Sequence, residues 1–151
     1  MVIGLALHTL AAIVWVGGMF FAHMILRPSA LPLEPAARFQ LWYRVFSRFF
    51  PWVWLSVAVL LVSGFGMVQF GLGGFRVARL YIHLMAGLGL MMAANYIFLY
   101  FVLWPRFRRA VESADWLLAP AKLAGIRRLV TVNLILGLVT AAIGAGGRYY
   151  G

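Results

Sequence analysis

Four stretches of the sequence, about 2–26, 49–70, 79–104 and 123–146, run for twenty or more residues with almost no charge. About 20 apolar residues suffice to cross the hydrocarbon core of a bilayer as a helix, so each run predicts a transmembrane span. The last is the least apolar: its core is Leu129 to Ala145, with Arg127 and Arg128 expected at the membrane surface. The runs are long and do not alternate in polarity, which argues against membrane strands. Composition agrees, with 11% charged residues where a soluble domain carries about 25%. The expected fold is therefore all-α, an integral membrane four-helix bundle forming one domain over residues 1–151. Residues 2–26 exceed the apolar core of a signal peptide and no basic residue precedes them, so the first run is expected to be retained.

The net charge is +10, but its distribution points to lipid head groups, not nucleic acid. Arg27, Arg38, Arg44 and Arg48 lie in the first connection, and Arg106, Arg108, Arg109, Lys122, Arg127 and Arg128 in the third. Only Arg76, Arg79 and Arg148 lie on the opposite side. The positive-inside rule then predicts a cytoplasmic location for the first and third connections and an outer, periplasmic one for both termini. In the segment after Glu34-Pro35, Gln40, Arg44, Ser47 and Arg48 share one helical face, which predicts an interfacial helix leading into span two, with Pro51 starting or kinking that span. Residues 105–121 read as a polar connector, and Pro120 suits a helix start.

Cysteine is absent, which excludes thiolate ligands and disulfides. The chain has three histidines, His8, His23 and His83, all in apolar runs. Spans one and three run in the same direction. His8 follows Val2 by 6 residues and His83 follows Arg79 by 4, so both imidazoles are expected roughly 6–9 Å below the outer boundary. Two imidazoles at one depth can clamp a haem iron from opposite sides of a bundle. Trp15 and Gly18 follow His8 on its face, and Gly87 follows His83, leaving space for a flat macrocycle; Arg76, Arg79 and Arg148 are candidate partners for haem propionates. Alternatively, Met67 and Met85 could join the same histidines to hold copper, or the imidazoles simply bond to neighbouring helices. His23 is roughly 22 Å further along span one and is expected to be a partly hydrated interfacial residue. Asn133, Gly137, Thr140 and Gly144 form a stripe on span four that reads as a packing seam. The spans contain no carboxylate, so an acidic proton relay is not expected.

His8, Trp15 and Gly18 spell H-x6-W-x2-G in the first span, and Leu26-Arg27-Pro28 and Leu103-Trp104-Pro105-Arg106 mark helix exits. This pattern resembles the superfamily containing the CopD copper-resistance membrane domain and the HemJ-type protoporphyrinogen oxidases. The resemblance implies a four-helix bacterial inner-membrane protein concerned either with b-type haem and porphyrin oxidation or with copper handling. On the HemJ side it would make His8 a haem ligand. HemJ-type proteins follow the glycine with an aromatic-Leu-Pro-Arg-Leu run and carry a lysine in the third helix. Here the chain reads Met19-Phe20-Phe21-Ala22-His23, and its one lysine is Lys122.

The reading favoured from sequence is one haem b held by His8 and His83, with electron transfer to a quinone, a periplasmic redox partner or a porphyrinogen. The alternatives are copper transport or delivery, with His8, His83, Met67 and Met85 as ligands, and a non-catalytic assembly subunit. A homo-oligomer remains open.

Overall fold

A computed structural model describes residues 2–149, apart from the side chain of Arg148. It is helical throughout, with no strand among the described residues. Four helices are long and apolar enough to span a membrane: α1 (Val2–Ala30), α2 (Pro35–Gly71), α3 (Leu80–Glu112) and α4 (Ala119–Gly146). The first three each contain a π-helical turn, at Ala22–Leu26, Met67–Gly71 and Leu99–Leu103. After α2 the chain turns through Gly73 and Gly74, whose φ angles of 77° and 93° favour glycine.

All four predicted spans are present, but the helices run beyond them. The segment expected as a separate interfacial helix is the first part of α2, which passes through Pro51 without a break. Gln40, Arg44, Ser47 and Arg48 are exposed, as their shared face predicts. The opposite stripe gives the physical reason for the extension. Phe39, Trp42, Phe46 and Phe50 recur at helical spacing and are all buried. Phe50 meets Trp104 edge-on at 5.3 Å between ring centroids, and Phe46 meets Phe107 at 6.2 Å. Apolar burial of this kind sustains a helix beyond the bilayer. The expected connector 105–121 is likewise mostly helical, because α3 continues to Glu112. Pro120 sits in the first turn of α4, as expected.

The helices pack α1 on α2, α3 on α4 and α1 on α4. The α3–α4 seam keeps one antiparallel register along its length. A Cβ on Gly144 would stand 2.8 Å from Met85 Cε, and one on Gly137 3.1 Å from Met92 Cε. A Cβ on Gly147 would meet Tyr81 at 2.5 Å. One turn beyond the Gly137–Met92 contact, Asn95 Nδ2 donates to Asn133 Oδ1 at 3.0 Å, and Asn133 Nδ2 donates to the Met92 carbonyl at 3.0 Å. Asn133, Gly137 and Gly144 thus form the packing seam expected from sequence, while Thr140 bonds back to Leu136 of its own helix. Asn133→Ala is expected to cost about 1 kcal/mol, the usual scale for an interhelical bond in a membrane. Unfolding in mixed micelles with increasing dodecyl sulfate measures it.

The buried core lies mainly toward the arginine-rich end. Trp42, Phe46, Phe50, Tyr96, Trp104, Phe107, Leu123 and Ile126 are all buried there. Large rings bridge α2 and α3: Trp54 meets Tyr96 at 5.2 Å, and the Tyr96 hydroxyl donates to the Phe50 carbonyl at 2.9 Å.

Candidate functional site

His8 lies on the α1–α2 seam. Its Nδ1 is 2.9 Å from Ser63 Oγ. The Ser63 hydroxyl donates its proton to the Val59 carbonyl, one turn back on α2. A hydroxyl has one proton to give, so toward His8 Ser63 accepts, and Nδ1 carries the imidazole hydrogen. This arrangement favours the tautomer with hydrogen on Nδ1, which leaves the Nε2 lone pair to a metal.

The backbone of α2 makes room for the ring. A Cβ on Gly64 would come within 3.1 Å of His8 Cε1. One helical turn away, at the next rung of the same seam, a Cβ on Gly4 would lie 3.5 Å from Met67 Cγ and 3.7 Å from its Sδ. Gly4 precedes His8 by four residues and Met67 follows Ser63 by four, so imidazole and thioether occupy neighbouring rungs, roughly 6 Å apart along the axis. Met67 also opens the π-helical turn Met67–Gly71, a local widening that often accompanies functional sites.

The other expected ligands lie elsewhere. Met85 packs into α4 against Gly144. His83, two residues earlier and so roughly 200° round the helix, is exposed and rests on Phe75, with ring centroids 5.7 Å apart. Among the described residues, no hydrogen bond or ring contact joins His83 to His8. Gly87 is exposed, with nothing within 4 Å of its Cβ position. Arg76 and Arg79 are exposed as well, and the Arg148 side chain lies outside the described residues. Trp15 and Gly18 have partners within the protein. Trp15 is 3% exposed and meets Tyr96 edge-on at 6.1 Å, and Gly18 admits the Phe49 ring. No group of three or more His, Asp or Glu side chains that could hold a metal ion occurs among the described residues. Haem binding thus finds no support in the arrangement.

Ser63 is the site residue whose role the sequence reading missed. Its signal was present in the Ser56/Ser63 spacing of 7 residues, which places both on one face of α2. That periodicity does not say which helix the face meets. His23 sits near the other end of α1, half-buried, with Nδ1 3.3 Å from Thr131 Oγ on α4.

These features define a multi-pass, four-helix membrane protein with a small polar site on one interhelical seam. The sequence profile described as "Copper resistance protein D" matches residues 43–146. The chain belongs to this family, whose members are bacterial inner-membrane proteins. The match covers spans two to four, including Ser63, Met67 and His83, and begins after the first span that carries His8. No curated protein and no solved structure is detectably similar to the chain.

Proposed function

We propose that this protein handles copper at the membrane, taking Cu(I) as cargo into the α1–α2 seam through His8 Nε2 and the Met67 thioether. The observation that carries the reading is the pair of adjacent rungs, His8–Ser63 and Gly4–Met67, in a bundle of the copper resistance protein D family. Imidazole and thioether together suit Cu(I), because a soft thioether favours a soft ion. Two donors make a site for transient holding and hand-over. Ser63 fixes the tautomer and orientation of the imidazole from behind, the usual arrangement for a histidine that ligates metal. Met85 and His83 are not needed in this scheme, since they face other surroundings.

The test is a titration of the purified protein with Cu(I) against a chromogenic chelator, with Zn(II) in parallel and a visible spectrum taken first. The expected result is a colourless protein that withdraws about one Cu(I) per chain from the chelator and takes up no comparable Zn(II), the preference expected of a thioether ligand. Paired reduced bands of a six-coordinate b-type haem would instead restore the bis-histidine reading. A colourless protein indifferent to Cu(I) would leave the assembly-subunit reading in its place.

A further inference from the structure

At the arginine-rich end, α1 and α4 set two positive side chains opposite each other. His23 faces Thr131 across this seam. Arg27 follows His23 by four residues on α1, and Arg127 precedes Thr131 by four on α4. The antiparallel register therefore carries Arg27 and Arg127 to the next rung together. They line one cleft of about 20 Å³ with His23, Ala22, Trp42, Phe46 and Val130. Arg38, from the start of α2, does not line the cleft: its guanidinium donates to the Leu31 carbonyl at 3.3 Å and lies over the Phe39 ring.

This cationic cluster has no acidic counterpart. The chain has three carboxylates, Glu34, Glu112 and Asp115. Glu112 is held by Arg108 at 2.8 Å and by the Tyr43 hydroxyl. Asp115 accepts from the Leu118 amide at 3.0 Å. Glu34 is exposed ahead of α2, and its carboxylate forms no ion pair among the described residues. Like charges brought together at a membrane surface repel unless an anion lies between them. Neighbouring guanidiniums match the oxygens of a phosphate with fork-shaped donors.

From this geometry we propose that the cleft binds the headgroup phosphate of an anionic phospholipid. A volume of about 20 Å³ admits one oxygen-sized group, so a single phosphate oxygen enters while the rest of the headgroup stays at the surface. Ala22, Trp42, Phe46 and Val130 supply an apolar lining beside the charges. Charge beside apolar surface suits an amphiphile better than a free ion. The level fits too, since Arg27 and Arg127 lie where the apolar parts of their helices end. Basic pockets between transmembrane helices recognise anionic head groups by the same physics. The site is independent of the copper reading and lies toward the opposite end of α1.

Delipidated full-length protein in a neutral detergent tests the proposal. Phosphatidylglycerol, phosphatidylcholine and inorganic phosphate are added separately, and the thermal midpoint and lipid retention in native mass spectrometry are recorded. Phosphatidylglycerol is expected to raise the midpoint and remain bound at one molecule per chain, while the other two do neither. Arg27→Gln and Arg127→Gln should each weaken retention about fivefold. Arg44→Gln, which removes the same charge from an exposed position at the same end, should leave it unchanged. Equal retention of phosphatidylcholine, saturation by inorganic phosphate alone, or equal losses in all three variants would overturn the assignment.

Discussion

His8→Ala is expected to abolish Cu(I) binding, and Ser63→Ala to weaken it by about 10–100-fold, the usual range for losing the partner that orients a metal ligand. The two variants separate two roles. Alanine at position 8 removes one of two proposed donors. Alanine at position 63 keeps both donors but leaves Nδ1 without the oxygen 2.9 Å away that fixes the tautomer. Met67→Leu preserves the apolar volume beside Gly4 while deleting the sulfur, so it should abolish binding and leave folding intact. His83→Ala and His23→Ala should bind Cu(I) as the unmodified protein does. Competition with the chelator measures all five. A series in which His83→Ala loses as much as His8→Ala would move the site away from the α1–α2 seam.

Gly18→Leu should destabilise the bundle by about 1–3 kcal/mol, the usual cost of forcing extra volume into a packed contact. A Cβ at position 18 would stand 2.4 Å from the Phe49 ring, closer than atoms tolerate. Phe49 is half-buried on α2, so its ring must swing aside to admit the added side chain. The paired variant Gly17→Leu makes the control, since nothing lies within 4 Å of that Cβ position. Both changes gain similar helix propensity over glycine, so the difference between them isolates the packing. Unfolding in dodecyl sulfate is the readout, and equal stability of the two would mean that α1 and α2 do not meet at this point.

The four spans were legible because lipid imposes a length and an apolarity that the sequence displays directly. Their extensions were less so. Phe39, Trp42 and Phe46 sit among arginines, and contacts with distant rings, Phe39 on Trp116 and Phe46 on Trp104 and Phe107, show which face of that mixture is buried. Depth along a helix could be counted from the ends, whereas rotation about the axis could not. The haem expectation rested on depth: His8 and His83 were assigned one level, but rotation turns His8 to Ser63 and leaves His83 beside Phe75. Met67 was named in the copper alternative, and the same rotation brings it to the rung beside His8. The resemblance drew on H-x6-W-x2-G in the first span, yet Trp15 and Gly18 serve packing, and the family match lies in the three spans that follow.

The uneven distribution of the core has a mechanical consequence. Aromatic rings clamp the arginine-rich half, while toward the other end the buried apolar residues of α1 and α2 thin out to Ala11, Val57 and Val68. Opening free energy scales with local burial, so the bundle behaves as a pair of tongs: a rigid grip at one end and two tips that part at low cost. His8 sits between the tips, so on the copper proposal an ion would be exchanged there without unclamping the grip. Amide deuterium uptake should therefore rise steadily from Phe46 toward Met67 along α2.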